Sequence, residues 1–245
     1  MKIKGIILAG GTGSRLLPLT KVTNKHLLPV GMNPMIVHAV TKLVEAGILE
    51  ILIVTGKEHM GAVVNLLGSG SDYNCQFCYK VQDEAGGIAE ALGLAENFCN
   101  GSKSVVILGD NIFEDSLVPY VEAFSNQNEG ARLILKEVDH PNRFGVAELN
   151  GDKVVAIQEK PKIPKSKMAV TGIYFYDAAV FDFVKKCSPS KRGELEITDV
   201  NNFYIESGNC EFNQFQGWWT DAGTIESYRI ANDFVWNEIS TLNTT

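Results

Sequence analysis

Three observations in the sequence predict an α/β fold of three layers, with helices on both faces of a mostly parallel sheet. Uninterrupted apolar runs at residues 6–8, 51–54 and 105–108 suit short strands buried on both faces. Between them lie stretches with apolar residues at helical spacing, so strand and helix alternate through the first half of the chain. The first run ends at Gly10, Gly11 and Gly13, a turn at the carboxyl end of a strand, where Rossmann-like sheets hold their ligands. From about residue 130 successive strands replace the alternation, which adds a strand-rich insertion able to cover the mouth of the sheet.

The elements follow in order. Residues 35–46 place Ile36, Val40, Leu43 and Val44 at helical spacing, and Gly47 closes that helix as a C-terminal cap. Residues 51–54 form the next strand, 61–67 a short helix, 77–81 a strand, and 88–98 a helix weakened by Gly93. The buried strand at 105–108 ends at Gly109-Asp110. Residues 132–138 alternate in strand fashion, and 144–149 and 153–158 flank Asn150-Gly151, a strong hairpin signal. A further apolar strand spans 169–176. Helices at 178–186 and 197–206, a strand at 212–215 and a closing helix at 227–236 complete the pattern, and 237–245 reads as a frayed tail. No repeat, low-complexity tract or long linker divides the 245 residues, so one domain is expected.

Composition narrows the function. A formal charge of −7 argues against a general nucleic-acid binder, whose surface carries a basic surplus. No apolar run approaches a membrane span, and the run after Met1-Lys2 is too short for a signal peptide. Five cysteines, an odd number, point to free thiols in a reducing compartment and hence to a cytoplasmic protein. Cys75 and Cys78 spell C-x-x-C, but no second pair completes a zinc set. The strand-like stretch around them turns the two side chains to opposite faces, so core packing is expected rather than metal or redox chemistry. The four histidines show no triad partners, and no serine sits in a nucleophile elbow.

The residues suited to chemistry begin at the glycine turn. Bare backbone donors at Gly10, Gly11 and Gly13, then the fork-shaped cation Arg15 and the point cation Lys25, suit a polyphosphate. The spacing is neither the dinucleotide fingerprint nor the P-loop, and a tight surface turn is the alternative. Asp110 follows a buried strand, where it is either a turn residue or a carboxylate aimed into the crevice. Asp221 lies in Gly217-Trp218-Trp219-Thr220-Asp221-Ala222-Gly223-Thr224, and it or Thr224 can cap the last helix. Two separated aspartates can also share one Mg²⁺, which takes a few carboxylates plus phosphate oxygens. Glu159-Lys160 reads as solvated surface or as a sugar-phosphate clamp, and Glu194 and Glu196 as helix-start acids. Gln82 offers a donor and an acceptor to a base edge.

Taken from Leu8-Ala-Gly-Gly through Lys25-His-Leu-Leu-Pro29 to Asp221-Ala-Gly-Thr224, these segments resemble the sugar-1-phosphate nucleotidyltransferases. The resemblance implies a nucleotide-binding half at roughly 1–130 plus 210–236 and a sugar-binding part at roughly 131–209. It assigns Leu8, Gly10, Gly11, Thr12, Gly13, Ser14, Arg15, Gln82, Gly87 and Asp110 to the nucleotide. Asn111, Gly145, Glu159, Lys160, Val170, Thr171, Gly172, Arg192 and Trp219 go to the sugar phosphate. Asp110 and Asp221 go to a catalytic Mg²⁺, and Arg15, Lys25, Asp110, Lys160 and Asp221 form the catalytic set. Members it resembles most narrowly use dTTP and glucose 1-phosphate and feed deoxysugar synthesis, often rhamnose for surface polysaccharide. A homo-oligomer is left open.

The base pocket departs from the family pattern, with Glu84-Ala85-Gly86-Gly87 in place of the commoner Pro-x-Gly turn, and Gly31-Met32-Asn33 replaces a Tyr-Asp-Lys type sequence. Uridylyl or cytidylyl transfer is therefore an alternative, as is a catalytically silent regulatory subunit, although every cation and carboxylate of the catalytic set is present. Longer relatives build an effector site with a C-terminal helical extension. The polar residues 237–245 predict none here, and so hyperbolic saturation.

Overall fold

The apolar runs do form the centre of the molecule. A computed structural model describes residues 2–242, with no side-chain description for the last of these. In chain order, β1 (Lys4–Ala9) leads into the glycine turn and three single turns of 3₁₀ helix at Ser14–Leu16, Leu19–Lys21 and Lys25–Leu27. The two-residue strands β2 (Pro29–Val30) and β3 (Asn33–Pro34) precede α1 (Met35–Glu45), β4 (Glu50–Gly56), α2 (Met60–Leu67) and β5 (Gln76–Gln82). Next come α3 (Ile88–Gly93), α4 (Glu96–Cys99), β6 (Ser104–Leu108), β7 (Asn111–Phe113) and α5 (Val118–Asn126). The second half holds β8 (Ala131–Glu137), β9 (Gly145–Asn150), β10 (Lys153–Glu159), β11 (Met168–Tyr176), α6 (Val180–Lys186) and α7 (Ile197–Glu206). It closes with β12 (Cys210–Gln214), β13 (Trp219–Asp221) and α8 (Ile225–Leu242).

Strands β5, β4, β1 and β6 lie parallel and side by side. The strand-rich segment after residue 130 joins the same sheet: β11 pairs antiparallel with β6 and β8, and β8 pairs parallel with β12. The β9–β10 hairpin turns at Asn150-Gly151 as expected and meets the start of β11 through Ala169 and Val146. Period-two alternation divides the core. Ile6, Leu8, Leu52, Val54 and Val106 face α3, α6 and α7, whereas Ile7, Ile51, Ile53 and Ile107 face α1, α2 and α5. Fully burying one such side chain contributes about 1.5–3 kcal/mol.

Four local readings change. The helix expected at 88–98 breaks after Gly93 into α3 and α4, since glycine weakens a helix interior by about 1 kcal/mol. Helix α5 and strand β7 had no clear sequence signal: α5 is short and mixed, and β7 is a strand only because β13 pairs with it. The closing helix begins at Ile225, and the expected tail continues it to Leu242; residues 243–245 lie outside the described part. Helical spacing of Ala231, Val235 and Ile239 packs α8 on Val30, Met35 and Ile112, and Tyr228 Oη donates to Pro29 O at 2.6 Å. Of the C-x-x-C pair, Cys75 is in the core but Cys78 is exposed, and no metal-binding group of three or more His, Cys, Asp or Glu exists among the described residues. No helix there is long and apolar enough to cross a membrane.

Candidate active site

At the carboxyl ends of β1, β5 and β6 a cleft of about 540 Å³ opens. Its walls include Leu8, Gly10, Gly11, Arg15, Lys25, Gln82, Gly87, Asp110 and Asp221 from the expected nucleotide and metal sets. They also include Asn111, Gly145, Glu159, Lys160, Val170, Gly172, Arg192 and Trp219 from the sugar-phosphate set. Four expected residues lie outside these walls. Thr12 and Ser14 are exposed, and Gly13, at φ 64°, starts the 3₁₀ turn that leads away. On β11, Val170, Gly172 and Tyr174 share the cleft face, so Thr171 points to the other side and donates to Ile134 O at 2.8 Å.

The two aspartates are brought together by backbone. β13 pairs antiparallel with β7, setting Asp221 opposite Asn111, and Ala222 N donates to Asp110 O at 2.7 Å. Thr224, not Asp221, caps α8: its Oγ1 accepts from Ser227 N at 3.2 Å, which leaves the Asp221 carboxylate free for the cleft. Lys25 Nζ meets Asp110 Oδ2 at 2.5 Å. The loop holding Lys25 is pinned by Asn24, whose Oδ1 accepts from His26 N and from the His26 ring. Burial, aided by Lys25, pushes the His26 imidazole down to about 3, so it stays neutral.

Burial opposes the charge on Asp110, yet Lys25 and a hydrogen bond from Asn111 hold its carboxyl well below the usual carboxylate range. Asp221 goes the other way. Burial and then the neighbouring Asp110 push it up to about 6, against the pull of Arg143, Arg15 and Lys25. An ionised, buried carboxylate beside a second one whose ionisation it opposes fits a hard divalent cation that completes its shell with water and phosphate.

Asn111 organises the other end. Its Oδ1 accepts from Trp219 Nε1 at 2.8 Å and from Gly172 N at 2.9 Å, while its Nδ2 donates to Asp110 Oδ1 at 3.0 Å. Gly172 has to be glycine for this approach, because a β-carbon there would stand 2.5 Å from Asn111 Nδ2. Gly172→Ala is expected to tilt that amide, weakening sugar-phosphate binding while nucleotide affinity holds. Separate calorimetric titrations of the two substrates check it, and equal losses would refute the division of labour.

Glu159 Oε2 accepts from Thr198 Oγ1 at 2.7 Å, and its Oε1 faces Lys160 Nζ at 3.3 Å and Arg192 Nη2 at 3.5 Å. Lys160 sits at φ 43°, in the left-handed region that side-chain-bearing residues rarely adopt, which is the kind of strain functional sites retain. Glu196 stands at the N-cap of α7, at the helix start as expected, but its side chain does not cap the helix: it grips the Arg192 guanidinium through both oxygens, at 2.7 and 2.9 Å from Nη2. A bidentate partner is the better match for a planar fork than a helix end is.

Near Gln82, Gly86 O accepts from Leu195 N at 2.8 Å and Ala89 N donates to Leu195 O at 3.1 Å. Gly87, at φ 106°, lies where a β-carbon would come within 2.4 Å of Leu195 O, so the turn requires a glycine there. Gln82 Nε2 donates to Gly87 O at 3.3 Å. Residues missed by the sequence reading also line the cleft. Tyr174 could have been found by period two from Gly172, and Arg143, which reaches Asp221 Oδ1 at 3.4 Å, by its place beside Gly145.

A mostly parallel sheet whose cleft joins glycine-loop amides, paired cations and two aspartates is the arrangement of a nucleotidyl-transferring enzyme. The chain belongs to the nucleotidyl transferase family, whose sequence model matches residues 4–238. Within it the chain is similar to glucose-1-phosphate thymidylyltransferases. The Neisseria meningitidis serogroup A enzyme of that name is 43% identical over 95% of this chain and 82% of its own length. A Bacillus anthracis crystal structure, provisionally named a glucose-1-phosphate thymidylyltransferase and solved with a sucrose, is 61% identical. It superposes with a TM-score of 0.92 over 95% of this chain and 94% of its own. A UDP-glucose pyrophosphorylase solved with UDP-glucose is more distant, at 25% identity and a TM-score of 0.86 over 97% of this chain and all 100% of its own.

Proposed function

We propose that the protein transfers a thymidylyl group from dTTP to glucose 1-phosphate, releasing pyrophosphate and forming dTDP-glucose for deoxysugar and surface-polysaccharide synthesis. The observation that carries this reading is that one cleft holds both cation sets. Gly10, Gly11, Arg15 and Lys25 line it together with Lys160 and Arg192, and we assign the first group to the nucleotide and the second to the sugar phosphate. A sugar phosphate is anionic near neutral pH, so its oxygen can attack the α-phosphorus without a general base. The new oxygen–phosphorus bond forms as the bond to the β-phosphate oxygen breaks, and pyrophosphate leaves with that electron pair. Catalysis is then positioning and charge neutralisation. Lys160 and Arg192 aim the attacking phosphate, with Glu159 accepting from sugar hydroxyls. Arg15 and the loop amides hold the polyphosphate, and Lys25 neutralises charge near the reacting centre. Asp110 and Asp221 would hold Mg²⁺, which supplies further neutralisation at the α-phosphate and leaving group.

Gln82 and Gly87 frame a slot suited to a pyrimidine. dTTP and dUTP differ by one methyl, whose burial is worth ~0.8 kcal/mol, or about fourfold. UTP adds a 2′-hydroxyl as well. Pyrophosphate release with glucose 1-phosphate and Mg²⁺ is therefore expected to rank dTTP above dUTP above UTP, with UTP still used appreciably. Efficient turnover of ATP or GTP would refute the pyrimidine slot, and UTP faster than dTTP would favour the uridylyl reading.

A further inference from the structure

We infer that Gly223 keeps open the space between Asp110 and Asp221 that a divalent cation and its remaining ligands need. The inference rests on the two-aspartate reading proposed above and extends it to a residue without a side chain. A β-carbon at 223 would stand 3.2 Å from Arg15 Nη2, 3.4 Å from Asp221 Oδ2 and 3.5 Å from Asp110 Oδ2. These three atoms are the nearest ones, all are polar, and they come from the 3₁₀ turn after the glycine loop, the end of β13 and the end of β6.

Conformation does not explain the glycine. Its φ lies outside the left-handed region, unlike Gly11, Gly13 and Gly87, so a larger residue could adopt its backbone. Nor could the added carbon swing aside. Ala222 N is held on Asp110 O at 2.7 Å, and on the other side Thr224 is locked into the cap of α8 through Ser227. The carbon would therefore project between the two carboxylates. At 3.4–3.5 Å it makes ordinary contact with both, and only the Arg15 side-chain tip, which is exposed, must give. Alanine thus fits the fold. What it removes is volume beside two oxygens, where Mg²⁺, with its short and near-octahedral coordination, must place water or phosphate oxygens. Space-keeping of this kind acts through the ligands rather than as one, so Gly223 is a positioning residue.

The test is calorimetric titration of dTTP into the full chain, with a series of Mg²⁺ concentrations and with EDTA, for wild type, Gly223→Ala and Asp221→Asn. In wild type Mg²⁺ is expected to strengthen dTTP binding. In Gly223→Ala the affinity without metal should stay within a few-fold of wild type, because the Arg15 tip has only to yield slightly, while the Mg²⁺ concentration giving half the gain rises by about 10–100-fold. Asp221→Asn should lose the gain. If Gly223→Ala keeps the wild-type metal response while Asp221→Asn loses it, the role of Gly223 is overturned and the two-aspartate site stands. If wild type shows no gain, or Asp221→Asn keeps it, the site itself is wrong and the inference falls with it. A Gly223→Ala protein that binds dTTP poorly even in EDTA would show that the glycine serves the phosphate loop, which also overturns the proposal.

Discussion

Replacing Asp110 by asparagine is expected to lower turnover by about 10²–10³-fold or more, the size of effect seen when one group aimed at transition-state charge is lost. Asp110 is buried at the end of β6 and holds Lys25 Nζ at 2.5 Å, with Asn111 Nδ2 on its other oxygen. Asparagine keeps the shape but brings no negative charge, so neither the cation expected there nor Lys25 retains its partner. Substrate affinities should change less than turnover, because the base and sugar ends are built from other residues. Steady-state pyrophosphate release at saturating Mg²⁺, dTTP and glucose 1-phosphate measures this, with circular dichroism to confirm folding. Turnover within a few-fold of wild type would remove Asp110 from the catalytic set.

Lys25→Met has the other large expected effect, on stability as well as turnover. In the wild type, burial raises the Asp110 carboxyl, but Lys25 together with the hydrogen bond from Asn111 more than offsets it, so the folded value lies below the unfolded one near 4. A depressed carboxylate stabilises the fold above the unfolded pKa and loses that contribution as pH falls through the folded one. Without Lys25 the burial cost dominates and the folded value rises above the unfolded value. The sign of the linkage then reverses: the variant should lose stability as pH rises through that raised value. Removing one partner of a buried pair costs about 3–5 kcal/mol at neutral pH. Thermal denaturation should therefore show a Tm deficit relative to wild type that is larger at pH 7 than at pH 4. A deficit independent of pH would mean that Asp110 does not depend on Lys25 for its charge. Turnover should fall with it, since the same ammonium lines the cleft beside Asp110.

Much of the architecture can be read directly from residue patterns because it rests on local physics. The runs at 6–8, 51–54 and 105–108 have no polar face to expose, so they must be central strands. Asn150-Gly151 specifies its hairpin through backbone conformation alone, with Gly151 at φ 59°. The glycine turn, Arg15 and Lys25 are close in sequence, and so their joint use in one cleft was legible. The family resemblance added Asp110, Asp221, Lys160 and Arg192, whose individual surroundings are those of ordinary turn and surface residues.

What only the tertiary structure decides is what depends on chain segments meeting from afar. The three-residue ladder between β7 and β13 has no periodicity to detect, yet it sets Asp221 beside Asp110 across more than a hundred residues. The two Leu195 hydrogen bonds that hold the Gly86-Gly87 turn likewise appear only once the segment before α7 is docked. Gly223 shows the limit most sharply. Its sequence context suggests no more than a turn before a helix, and its significance lies in the polar atoms of three separate elements that converge where its side chain is missing. The residue pattern by itself determines which strands are buried and which loop offers bare backbone donors at the mouth of the sheet. The packing of distant segments determines which charges face one another, because electrostatic and steric interactions depend on separation in space and take no account of distance along the chain.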